Sequence, residues 1–174
     1  MPVPGTTAVL VLLPDADPLL EAAAQLDTRV VRPGVPAHAT LLYPWLPADQ
    51  VGAGELRRLR AALAVAAPEG GPLSLRLTEV EGDGGFIGIP VPELRPLATA
   101  VRTAFPQQVP YEGRFGSDPA VHLTVSLDAA ADTAAVIARR VTEHLPIVTE
   151  VSAVHVVALA PEGWQELAAL PLTS

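Results

Sequence analysis

Pro36-Ala37-His38-Ala39-Thr40-Leu41-Leu42-Tyr43-Pro44 and Val121-His122-Leu123-Thr124-Val125-Ser126-Leu127 are two short apolar stretches, each carrying a His and a Thr two residues apart. Chain breakers bound both, and both read as buried strands. Successive strand side chains alternate faces, so each His shares a face with its Thr, about 6 to 7 Å along the chain. Each stretch thus presents an imidazole, which titrates near neutral pH, beside a hydroxyl able to donate to an anionic oxygen. Together the two copies, 84 residues apart from His38 to His122, offer an acid, a base and two hydroxyls to hold oxygen.

Outward from the first stretch, Thr7 to Leu13 predicts a strand, and Asp17-Pro18 opens a helix that runs to about Asp27, with Pro well placed in a first helical turn. A second helix is expected from about Asp49, taken as its N-cap, with Leu56, Leu59 and Leu63 on one face and Pro68-Glu69-Gly70-Gly71 as its stop. Leu73, Leu75 and Leu77 alternate with Ser74, Arg76 and Thr78, a half-buried strand that turns at Gly82-Asp83-Gly84-Gly85 into Phe86 to Ile89. The second half then repeats the order. A helix runs from Val91-Pro92-Glu93 to about Phe105, an irregular stretch holds Tyr111 to Pro119, and the second His-Thr strand follows. A helix capped by Asp132 ends near His144, and Val151 to Ala160 and Trp164 to Leu170 make a final strand pair. Self-similarity at a period of roughly 80 residues is a fold-level signal. The expectation is an α+β fold over residues 1–174, a single bilobal domain with approximate repeats 6–81 and 86–171. Its mainly antiparallel sheets carry outer helices, and a pseudo-two-fold axis takes the motif strands to opposite sides of a central cleft.

Composition narrows the chemistry. A 49% apolar content supports a packed core, and no apolar run approaches the roughly 20 residues of a membrane span. Val9 to Leu13 lacks the basic flank of a signal peptide, so a cytoplasmic monomer is expected. With no Cys there is no thiolate nucleophile and no zinc–thiolate site, and with no Lys there is no Schiff base or P-loop lysine. The net charge of −8 excludes an extended nucleic-acid surface, because such affinity comes from neutralising many phosphates. A small nucleotide or an RNA end is the partner that fits, without membrane, cofactor or metal. Hydroxyls two residues after each His suit phosphate better than a metal ion, and no carboxylate follows at ligand spacing.

Around the motifs, Tyr43 could stack on a base, and Arg114 and Phe115, on a Gly-flanked loop before the second motif, could supply a charge to phosphate and a wall to a nucleoside. His155 sits mid-strand among valines and reads as a core or interlobe residue, and His144 complements the end of a helix.

These stretches, together with Pro110-Tyr111-Glu112-Gly113-Arg114-Phe115-Gly116, resemble the 2H phosphoesterase superfamily, specifically the bacterial 2′-5′ RNA ligase-like or cyclic phosphodiesterase-like group. The resemblance implies a bilobal fold, no required metal, and chemistry on 2′,3′-cyclic or 2′-5′-linked phosphodiesters. It makes His38 and His122 the catalytic pair and Thr40 and Thr124 the phosphate binders. A nucleotide or RNA-end binding module without turnover is the alternative.

Overall fold

The computed structural model describes residues 3–67, 69 and 71–172, so Pro68 and Gly70 of the expected helix stop lie outside the described residues. The chain runs β1 (Thr7–Leu12), α1 (Asp17–Leu26), β2 (His38–Leu42), α2 (Ala53–Ala66) and β3 (Leu73–Leu77). It continues as β4 (Glu81–Asp83), β5 (Phe86–Pro90), α3 (Arg95–Ala104), β6 (His122–Ser126) and α4 (Ala131–His144). It ends with β7 (Ile147–Val151), β8 (Ala153–Ala160) and β9 (Gly163–Pro171).

Seven strands form one antiparallel sheet in the order β4-β5-β6-β2-β1-β8-β9, and β3 pairs with β7 in a separate ladder. The class is α+β with antiparallel sheets, but the motif strands do not face each other across a cleft from separate sheets. β2 and β6 are neighbours, joined at the Ala39–Leu123 pair.

The two halves repeat in register. β1 pairs with β2 as Leu12–His38, Val11–Ala39 and Leu10–Thr40, with an irregularity between Val9 and Leu10. β5 pairs with β6 as Pro90–His122, Ile89–Leu123 and Gly88–Thr124, with an irregularity between Ile87 and Gly88. Leu13 N–H donates to Ala37 C=O and Val91 N–H to Val121 C=O, both at 2.9 Å, in equivalent places before α1 and α3. Each of those helices follows a short 3₁₀ turn with Pro in its first turn.

Strand parity sorts the side chains. Val9, Val11, Ala39, Ile89 and Leu123 point to one face, where Leu19, Leu59, Leu97 and Ile137 of the four helices close a continuous core. α1 packs beside α4 and α2 beside α3, as a two-fold repeat requires. The opposite face carries only a small apolar cluster, Ala8, Leu10 and Val157, edged by Tyr43 and Trp164. Helices on one side leave the other side of the sheet for ligand.

Several local expectations shift. Asp132 lies inside α4, whose N-cap is Ala130, and the strand that turns into β5 is β4 rather than β3. α2 begins at Ala53 rather than near Asp49, because Glu55, three residues into the helix, reaches back to accept from Gly52 N–H at 3.2 Å. Asp49 falls instead in a preceding 3₁₀ turn. The stretch read as one strand from Val151 is two, because the chain breaks at Ser152. β7 before the break belongs with β3, and β8 after it joins the main sheet.

The turn between β8 and β9 is pressed against the loop before β2. Gly163 has φ +135°, and a Cβ there would stand 2.6 Å from the Gly34 carbonyl oxygen. Gly163→Ala is therefore expected to destabilise the fold by roughly 1–3 kcal/mol, measured by denaturant unfolding.

Candidate active site

The Ala39–Leu123 pair determines the layout of the site. In an antiparallel pair, stepping one residue along one strand steps one residue back along the other, so His38 lies across from Thr124 and Thr40 across from His122. All four side chains share one face. Direct neighbours in such a pair are about 4.5–5.5 Å apart and diagonal ones about 7–8 Å. The imidazoles occupy one diagonal of this rectangle and the hydroxyls the other.

Both rings are anchored alike. His38 Nδ1 lies 2.8 Å from the Pro36 carbonyl oxygen and His122 Nδ1 3.2 Å from that of Ala120, each two residues earlier. A carbonyl only accepts, so Nδ1 carries the proton in both rings and Nε2 is the nitrogen through which each ring makes its other contacts. Arg102, extending from α3, ties β2 to the segment that precedes β6. Its Nε donates to Leu41 C=O at 3.0 Å, and Nη1 donates to Pro119 C=O at 2.9 Å and to the Asp118 carboxylate at 2.8 Å.

Beyond the backbone the two rings differ. The Trp164 ring meets His38 edge-on at 4.8 Å. Burial pushes the His38 pKa below its ordinary value; the Pro36 carbonyl opposes the shift and the nearby Arg32 charge adds to it. His122 packs edge-on against Phe86 at 5.9 Å, and its Nε2 lies 2.8 Å from Glu81 Oε2.

A cavity of about 220 Å³ opens on this face, lined by His38, Thr40, Thr124 and Tyr43 of the sequence-predicted set. Tyr111, Trp164 and Arg32 join them. His122 lies outside that lining, on the Glu81 side of the strand pair. Arg114 and Phe115 lie outside it too. Phe115 is exposed, packs edge-on against Tyr111 at 5.3 Å and sits beneath the Arg114 guanidinium.

Tyr111 holds its place at a cost in backbone strain. It and Glu112 have φ of 50° and 55°, and Tyr111 N–H donates to Tyr43 C=O at 2.6 Å. Burial pushes the phenol above its ordinary value, against the pull of Arg102 and of a hydrogen bond shared with the Thr40 hydroxyl, so it stays neutral near pH 7. Sequence reasoning missed Tyr111, Trp164, Arg32 and Glu81. Each reaches the site from another segment, and no local pattern marks them. His155 lies on the site face but pairs with Glu166 instead. Among the described residues, no group of three or more His, Asp or Glu side chains could hold a metal ion.

Residues 14–163 match the 2′-5′ RNA ligase superfamily. The chain belongs to that superfamily. A solved phosphoesterase has 18% identity and a TM-score of 0.55 over 99% of this chain and 100% of its own. E. coli LigT, in a crystal structure complexed with phosphate, has 18% identity and a TM-score of 0.53 over 98% of this chain and 99% of that one. The protein TT0787 of Thermus thermophilus has 21% identity and a TM-score of 0.54 over 96% and 97%. LigT has also been crystallised with NADP+, 3′-AMP and ATP. No curated protein matches the sequence. At these identities the superfamily's solved structures share the fold. No helix among the described residues is long and apolar enough to cross a membrane.

Because burial disfavours the charged ring, His38 takes up its proton only as pH falls below 6.5, the ordinary value for the group. NMR titration of the ring is expected to give a midpoint below 6.5, and Trp164→Ala, which admits water, should raise it toward that value.

Proposed function

We propose that the chain is a metal-independent phosphoesterase that hydrolyses, or reversibly ligates, 2′,3′-cyclic or 2′-5′ nucleotide phosphodiesters with His38 and His122 as catalytic residues. The observation that carries this reading is the diagonal arrangement. A phosphoryl group centred between the strands has an imidazole on either flank and a hydroxyl at each remaining corner. In-line displacement needs that arrangement, with the attacking and leaving oxygens on opposite sides of phosphorus.

In hydrolysis, Nε2 of His38 takes a proton from water as the water oxygen bonds to phosphorus. His38 suits the base role because its Nδ1 proton is committed to Pro36 and burial keeps the ring neutral. His122, on the opposite flank and with Glu81 against its Nε2, gives a proton to the departing ribose oxygen. Such proton transfers are each worth about 10²- to 10⁴-fold in rate. Thr40 and Thr124 donate to the non-bridging oxygens, at about 3 kcal/mol per well-placed donor. The dyad run in reverse joins a cyclic phosphate to a 5′-hydroxyl. The Tyr43–Tyr111 wall, with ring centroids 6.0 Å apart, suits a base or ribose, and the single cation Arg32 suits a small anion better than a long polyanion. Arg114 and Phe115 would serve only a substrate that extends past the cavity.

Purified protein is expected to turn over a nucleoside 2′,3′-cyclic phosphate in the presence of chelator. His38→Ala and His122→Ala should each lose about 10²-fold or more, and Thr40→Val or Thr124→Val roughly 10²-fold. Full activity in both His variants would reject the dyad, and nucleotide binding without product would make the chain a binding module.

A further inference from the structure

The two half-sites share a backbone but not their charge. Across the sheet, Glu81 pairs with Gly88 and Gly88 with Thr124; in the other half His155 pairs with Leu10 and Leu10 with Thr40. Glu81 and His155 therefore occupy equivalent seats, each one strand removed from its motif. The residue between decides what each can reach. Gly88 has no side chain, and a Cβ there would collide with the Phe86 ring, so the Glu81 carboxylate crosses β5 to His122. Leu10 fills the equivalent place, and His155 turns away to Glu166 on β9. One half of the site thus carries a carboxylate that the other half lacks.

We propose that Glu81 is a specificity-determining residue that makes the histidine pair favour a phosphodiester monoanion over a phosphomonoester dianion. The inference rests on the phosphoesterase reading above and adds charge selection at the same site. The formal charges that face it are few. Arg32 is the one charged side chain other than histidine lining the cavity, Glu81 opposes it from the His122 side, and Asp118 is held by Arg95 and Arg102. As formal charges Arg32 and Glu81 offset each other, and the Asp118 cluster with its two arginines lies outside the cavity lining.

Hydrolysis changes the anion in a way that this balance detects. A cyclic diester has one ionised oxygen. The water oxygen bonds to phosphorus, the bond from phosphorus to one ribose oxygen breaks, and that oxygen leaves with the proton from His122 while His38 holds the proton from water. The monoester formed has a second ionisation near pH 6, so at pH 8 it releases its remaining proton to solvent and becomes a dianion. The added charge lies beside Glu81. At the separation of neighbouring groups in a half-exposed site, one extra unit of repulsion amounts to about three- to tenfold in affinity after solvent screening. Product would be expelled while substrate is tolerated.

The test compares wild type, Glu81→Gln and Glu81→Asp at pH 8. Calorimetry measures the affinity for adenosine 2′- and 3′-monophosphates and inorganic phosphate, and kinetics give KM for adenosine 2′,3′-cyclic phosphate. Glu81→Gln is expected to bind the monoesters about three- to tenfold more tightly while KM for the diester moves by less than half that factor. Glu81→Asp should retain most of the discrimination, and raising the salt should shrink the difference. Equal tightening toward both ligands, no change, or weaker monoester binding in Glu81→Gln would overturn the inference while leaving intact a phosphoesterase that still turns over the diester. A wild type that neither binds these nucleotides nor turns over the diester would overturn both readings.

Discussion

The site depends on one strand pairing. β2 and β6 meet through Ala39 and Leu123, two buried residues whose side chains face the helices. Because strand side chains alternate, seating those two in the core obliges His38, Thr40, His122 and Thr124 to project on the opposite face. A one-residue slip in either strand would bury its imidazole and hydroxyl in the core and bring apolar side chains out, an exchange the apolar core opposes strongly. The packing that stabilises the fold is thus also what aligns these four side chains. Arg102 reinforces the alignment by hydrogen bonding to carbonyls on both sides of the join.

A near-symmetric backbone does not make a symmetric site. The two His strands share register, burial pattern and the Nδ1 anchor two residues upstream. Their surroundings come from parts of the chain outside the repeat or altered within it. Trp164, on the terminal hairpin, dries one ring, and Glu81, on the edge strand, meets the other. A repeated backbone with unlike neighbours thus gives the two imidazoles different environments without disturbing the geometry.

Some local stability is given up for the cavity wall. Tyr111 and Glu112 hold left-handed backbone angles that side-chain-bearing residues rarely adopt, and the Tyr43 carbonyl and the aromatic packing of Tyr111 keep them there. Strain of this kind persists only where surrounding structure over-determines it. Here the structure it supports is the wall that faces His38 and Thr40.

Much of this was legible in the chain. The alternation in β3, the prolines that open α1 and α3, the apolar face of α2 and the parity of each His-Thr pair are local, and short-range sterics and burial decide them. The interior ends of elements were less so. Glu55 outcompeted Asp49 for the start of α2, and Ser152 divided a continuous run of strand-forming residues. What the sequence alone determined is that each His and its Thr two residues on share a face of a strand. Only the tertiary structure decided that the two motif strands lie side by side, that β3 pairs with β7, and that Glu81, Trp164, Arg32 and Tyr111 close around them. Those contacts join segments tens of residues apart, and their free energy depends on how whole faces pack together, a quantity that no local pattern of residues contains.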